Sequence, residues 1–180
     1  MGRRPRKRSA TVTAPSLWDW SSGVYARPGA QRTLLTLQDA HGLNVNLILW
    51  CAWAGAHHAE PDGAALKTAM AITAEWDSAV VAPLRAVRRA LKSGVAGIAA
   101  EHLRAEVKAA ELAAERALLA RLDAFSQGAL LPSHDADRAG RARRTLAAYA
   151  RAARAAQSPG FSISLLEEVI RLTVDSSVEG

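Results

Sequence analysis

Asn44-Val45-Asn46-Leu47-Ile48-Leu49-Trp50-Cys51-Ala52-Trp53-Ala54-Gly55-Ala56 is the stretch, residues 44–56, that decides how this chain folds. Asn44 is a helix cap, because its side-chain oxygen can accept the first amides that lack a helical partner. The helix it opens is expected to run over about 45–59. Val45, Leu47, Ile48, Leu49, Trp50, Cys51 and Trp53 leave it almost no polar face. A helix that is apolar all round has to be enclosed by other elements, so this one is expected at the centre of the fold. Its apolar run is too short to span a bilayer and suits a buried helix.

The rest of the composition agrees with a helical surround. The chain has 180 residues, enough for one domain with a sizeable core, and is 49% hydrophobic with only 5% aromatic residues. Alanine, leucine, arginine and glutamate dominate, and these lose little rotamer freedom in a helix. No alternating run bounded by turn signals suggests a strand, and no internal repeat is visible. The fold class is all-α: a single-domain bundle of about seven or eight helices, with one long helix near residues 95–127.

Outward from the centre, punctuation marks the other helices. Ser16 with Asp19 opens a first helix whose inner face is Leu17, Trp20 and Val24. Arg27-Pro28-Gly29 stops it, and a second helix with Leu34, Leu35 and Leu37 ends at His41-Gly42. Asp62 caps a fourth helix, and near Trp76-Asp77-Ser78 the chain bends or restarts. Beyond this point Val80, Leu84, Val87 and Leu91 form one stripe, and Arg85, Arg88, Arg89 and Lys92 another. Gly128 closes the long helix, a seventh follows over about 134–157, and Ser164 with Glu167 is a capping box for the last.

The net charge of +6 is concentrated at one end. Arg3, Arg4, Arg6, Lys7 and Arg8 sit in an opening stretch without an acid, and the remainder carries about +1. Residues 1–15 are therefore expected to be a disordered basic tail, 16–175 the helical domain, and 176–180 a disordered end. The tail could touch nucleic acid through phosphates without sequence preference. No apolar run follows it as in a secretory signal, and the single Cys51 excludes an internal disulfide, so a cytoplasmic protein is expected.

Three segments together carry a family resemblance. They are Leu17-Trp18-Asp19-Trp20 with Tyr25-Ala26-Arg27-Pro28-Gly29, and Leu37-Gln38-Asp39-Ala40-His41-Gly42-Leu43-Asn44-Val45-Asn46-Leu47. The third joins Trp76 with Val80-Val81-Ala82-Pro83-Leu84-Arg85, Arg88-Arg89 and Glu111-Leu112-Ala113-Ala114-Glu115. In these the chain resembles a proteobacterial family of unknown function, domain of unknown function 2390, over about residues 16–174. The resemblance implies a bacterial, cytosolic helical protein and carries no activity and no catalytic residue.

Several groupings have two readings each. Gln38, Asp39, His41, Asn44 and Asn46 form the densest polar cluster. As structure, they cap helix ends and satisfy buried backbone groups. As a site, they would line a polar pocket in which Asp39 orients His41 as an acid–base pair. Residues two apart do not share a helical face, so that pair needs the helix to have ended. Cys51, His57 and His58 lack a third ligand at metal-binding spacing, and Glu111 and Glu115 lack the Glu-x-x-His partners of a di-iron bundle, so neither a metal nor another cofactor is expected. Arg85, Arg88 and Arg89 either pair with the acids of the long helix or face a phosphate-bearing or acidic partner. Trp18 lies off the inner face of its helix and is a candidate anchor for a protein partner or a homo-oligomer.

Two function classes follow. The first is a non-enzymatic interaction or adaptor protein that binds a protein partner, with an RNA- or ribosome-associated variant through the basic tail. The second is a small enzyme or ligand-binding protein with its pocket around Asp39, His41 and Asn46. No membrane association is expected.

Overall fold

The computed structural model describes residues 14–94, 98, 100–133 and 136–174. They form eight α-helices and, among them, no strand: α1 Leu17–Tyr25, α2 Ala30–His41, α3 Val45–His57, α4 Gly63–Trp76, α5 Ala82–Ser93, α6 Glu101–Ala129, α7 Arg138–Ala152 and α8 Ile163–Thr173. A π turn, Asp77–Val81, fuses α4 to α5. The basic tail and the far C-terminus lie outside the described residues. No helix among the described residues is long and apolar enough to cross a membrane.

The centre is α3. Every residue from position 45 to position 56 is buried, and α1, α2, α4, α6, α7 and α8 all pack on this helix. Trp50 and Trp53 are the largest fully buried side chains. Burying an indole removes roughly 150–250 Å² from water, on the order of 4 kcal/mol each. Their polar edges are also satisfied: Trp50 Nε1 donates to Ser126 Oγ at 2.8 Å and Trp53 Nε1 to the Pro15 carbonyl at 3.0 Å.

The closest neighbour of α3 is α7. A Cβ on Gly55 would lie 2.5 Å from Ala142 Cα, so the two backbones meet where glycine faces alanine. At that crossing Arg141 Nε donates to the Gly55 carbonyl and Arg138 Nε to the Ala56 carbonyl, both at 3.0 Å. Two of the last-turn acceptors of α3 are thereby satisfied inside the protein.

Local signals set most helix ends. Ser16, Asn44 and Asp62 accept amide hydrogen bonds from Asp19, from Asn46 and Leu47, and from Ala65. Gly29 (φ 86°) and Gly42 (φ 67°) take the left-handed conformation that costs glycine least.

Some boundaries differ from expectation. The long helix begins at Glu101, not near residue 95, and Gly128 lies within its last turn. Asp137 caps α7, which therefore starts at Arg138, and Arg154 (φ 58°) lies just beyond its end. The cap of α8 is Ser162, whose Oγ accepts from the Ser164 amide; Ser164 is already helical.

The π turn explains another difference. A π turn holds one residue more than the α-helical pattern and advances the phase by about 100°. Val81, not Val80, is the residue buried there, while Leu84 and Leu91 of the apolar stripe are half-buried and Val87 is 47% exposed.

Candidate functional site

A groove of about 330 Å³ opens where α2 hands over to α3, beside the π turn. Asn44 is its hub. While its Oδ1 caps α3, its Nδ2 donates to Asp77 Oδ1 at 3.2 Å and its backbone amide donates to the Tyr149 hydroxyl at 2.9 Å. One residue thus ties together α3, the π turn and α7. Gln38, Thr73 and Arg85 complete the polar lining, over a floor that includes Leu43, Leu47, Met70 and Ala74. The Thr73 side chain is 1% exposed, and its hydroxyl has no hydrogen-bond partner. A buried hydroxyl without a partner is costly, and such groups are uncommon in folded proteins. Burial pushes the Tyr149 phenol above its ordinary value, keeping it neutral.

Arg85 leads out of the groove into a ladder of charges. Its Nε lies 3.2 Å from Glu111 and its Nη2 3.3 Å from Glu115, while Arg88 also pairs with Glu111. Burial alone would raise the Glu111 carboxyl, but hydrogen bonds and charge from Arg88 and Arg85 outweigh it and hold the group below its usual range. Glu115 moves the opposite way: burial and the neighbouring Glu111 raise it despite Arg85. The arginine stripe of α5 is therefore largely internal at Arg85 and Arg88, whereas Arg89 is exposed.

The α7 arginines take up separate roles and do not extend that stripe. Arg138 and Arg141 serve the end of α3, Arg143 pairs with Glu167 at 2.6 Å, and Arg144 with Glu60 at 2.7 Å.

The expected polar cluster is split. Asn44 lines the groove and Gln38 joins it, its Nε2 donating to Asp39 Oδ1 at 3.3 Å. Asp39 is exposed and borders a shallow hollow formed by α2 alone. His41 points to the segment after α7: its Nδ1 lies 2.7 Å from Ser158 Oγ, and its ring meets Phe161 edge-on. Ser158 Oγ also donates to the Ala155 carbonyl at 2.8 Å, which fixes it beside His41. The structure thus gives His41 a partner other than Asp39. Asn46 is buried, and its backbone amide donates to Asn44 Oδ1 at 2.9 Å.

Trp18 is half-buried, with the Arg116 guanidinium 5.2 Å from its ring centroid. Cys51 is fully buried and its thiol is raised by burial, which leaves it inert as a ligand. His57 and His58 lie among Trp20 and Trp53, and three of their four ring nitrogens, His57 Nε2 and both of His58, are buried without a hydrogen-bond partner. Among the described residues no three His, Cys, Asp or Glu side chains are grouped to hold a metal ion. Arg3, Arg4, Arg6, Lys7 and Arg8 lie outside the described residues.

Sequence reasoning missed Thr73, Asp77 and Tyr149 as members of the groove. The one available signal was the break expected near Trp76-Asp77, since π turns recur at functional sites.

A second feature stands beyond the core. α5 contributes no buried residue, and within α6 the first is Glu111. The two helices pack on each other as an arm, joined by charge at Arg85, Arg88, Glu111 and Glu115. Val87, Leu103 and Leu112 are 47%, 50% and 54% exposed along it.

A family model described as "Protein of unknown function (DUF2390)" matches residues 16–122, which take in α1 to α5, most of α6 and every groove residue named above except Tyr149. No curated protein and no solved structure matches the chain.

Proposed function

This chain belongs to the DUF2390 family, and from that premise we propose that it is a non-enzymatic interaction protein whose α5–α6 arm docks an acidic protein partner. The observation that carries this reading is the arm itself. From Glu111 onward α6 joins the core, but α5 and the first part of α6 contribute no fully buried apolar side chain, and helices gain most of their stability from packing an amphipathic face. Val87, Leu103 and Leu112 are the exposed large apolar side chains of the arm, with Leu103 and Leu112, nine residues apart, on opposite sides of α6.

Charge selects the partner. α5 carries Arg85, Arg88, Arg89 and Lys92 and no acid, and of these Arg89 and Lys92 are exposed, as is Lys108 on α6. Exposed acids on the arm are Glu101 and Glu106, and Glu106 already lies 3.3 Å from His102. The cationic surplus suits a partner that presents apolar side chains among carboxylates.

The test is cross-linking in the native cell followed by mapping of the linked residues. Cross-links from an acidic protein to residues 84–112, lost in Leu103→Gln/Leu112→Gln and in Arg89→Glu/Lys92→Glu, are the expected result. Cross-links unchanged by both variants would overturn the proposal. So would a wild-type dimer that the Leu103→Gln/Leu112→Gln variant dissolves, since the occupant would then be a second copy of the chain.

A further inference from the structure

We infer that the groove beside the π turn is a binding site for a small aliphatic amine, with Asp77 as the group that receives the ammonium. The site is separate from the arm's outer face, and the inference does not rest on the docking proposal.

Charge decides the class of ligand. The groove holds one carboxylate, Asp77, and one guanidinium, Arg85. Arg85 sits between two carboxylates, Glu111 at 3.2 Å and Glu115 at 3.3 Å, so its charge is compensated from the far side. The hydrogen-bond partner of Asp77 is the neutral amide of Asn44 at 3.2 Å. A partly desolvated carboxylate whose hydrogen-bond partner is neutral, beside an arginine already paired with two other carboxylates, favours a cation.

The backbone acts in the same direction. Gly42 at the end of α2 and Ala153 at the end of α7 both line the groove, and helix C-termini carry partial negative charge. The opposing N-terminus of α3 is covered by its own cap, Asn44 Oδ1. Gln38, whose amide nitrogen donates to Asp39 Oδ1, also lines the groove.

The unpartnered Thr73 hydroxyl is the independent sign that something polar belongs here. It is buried, it lines the groove, and no protein group accepts or donates to it. Beneath these polar groups Leu43, Leu47, Met70 and Ala74 make an apolar floor that suits a short hydrocarbon chain. The volume of about 330 Å³ is at the small end of ligand sites, which suits a small ligand rather than a large cofactor.

The experiment is a titration of the whole chain with n-butylammonium and 1,4-diaminobutane, followed by amide NMR at neutral pH, with butyrate and sodium chloride at equal ionic strength as controls. Saturable shifts confined to the amides of Asn44, Thr73, Asp77 and their neighbours are expected from the amines and not from butyrate. Asp77→Asn should weaken binding at least tenfold. Should that variant fail to fold, Thr73→Val serves, with an expected gain in melting temperature and a severalfold loss of amine affinity. Butyrate binding in the groove would overturn the inference in favour of an anion site at Arg85. Non-saturating or dispersed shifts, or full affinity in a folded Asp77→Asn or Thr73→Val variant, would overturn it outright.

Discussion

Asn44 acts at the scale of a single residue and holds three elements. Replacing it by alanine removes a cap, the bond to Asp77 and the chance for the side chain to order the turn above Tyr149. A cap alone is worth about 1 kcal/mol and a hydrogen bond to a charged group about 1.5–3 kcal/mol. Asn44→Ala should therefore lower stability by about 2.5–4 kcal/mol in urea unfolding.

His57 and His58 make a second residue-scale prediction, set by pH. Burial, with help from Arg138 and His58, lowers His57 from 6.5 to about 4, and burial also lowers His58 although Asp123 opposes it. Both depressed values mean that folding binds the neutral rings. The corresponding stability is complete above the unfolded value near 6.5 and is lost as pH falls towards 4. Since the rings are not fully enclosed, the loss should be about 1–3 kcal/mol between pH 7 and pH 4.5. Carboxylates titrate in the same window, so the check is a comparison of urea midpoints with His57→Leu/His58→Leu. That variant should show a smaller drop, and an identical drop would show that the imidazoles are not responsible.

Elements meet most tightly at α3 and α7. Gly55→Ala would improve helix propensity by about 1 kcal/mol in isolation. In the protein its Cβ would collide with the backbone of Ala142 at 2.5 Å, and backbone cannot rotate away as a side chain can. The net effect should be a loss of at least 2 kcal/mol, read as a lower melting temperature. The α5–α6 arm should respond differently. Glu111→Gln leaves Arg85 and Arg88 facing a neutral group at a position where the carboxylate is 7% exposed. Because α5 buries no residue in the core, the expected result is faster amide exchange through α5 with little change in global melting.

At this scale the sequence was informative where signals were local. The caps Ser16, Asn44 and Asp62 and the stops at Gly29 and Gly42 could be read because the donor, acceptor or left-handed turn lies within a few residues. The start of α8 was misplaced by two residues because Ser162 and Ser164 are equally good caps by type. Which face of α5 turns inward could not be read, because the extra residue of the π turn rotates everything after it.

Over the whole molecule, the prediction concerns the separation of stability from recognition. Leu103→Gln/Leu112→Gln exchanges side chains that are 50% and 54% exposed, and surface changes of this kind usually stay within about 0.5 kcal/mol. Its melting temperature should match the wild type while binding of an acidic partner is lost. A variant that unfolds would show that the arm's leucines belong to the fold rather than to an interface.

The sequence by itself determined that the chain is helical, that residues 45–56 form its centre, and where most helices begin and end. It also supplied the pattern of the family to which the chain belongs. These properties depend on propensity, capping and periodicity, which act between residues no more than a turn or two apart. Only the tertiary structure decided that Arg85 and Arg88 meet Glu111 and Glu115, that His41 meets Ser158 rather than Asp39, and that Thr73, Asp77 and Tyr149 share a groove with Asn44. Those meetings depend on how each helix is rotated against its neighbours, and a single inserted residue turns a helix by about 100°. Local pattern cannot fix that rotation, because it is set by packing between residues distant in the chain.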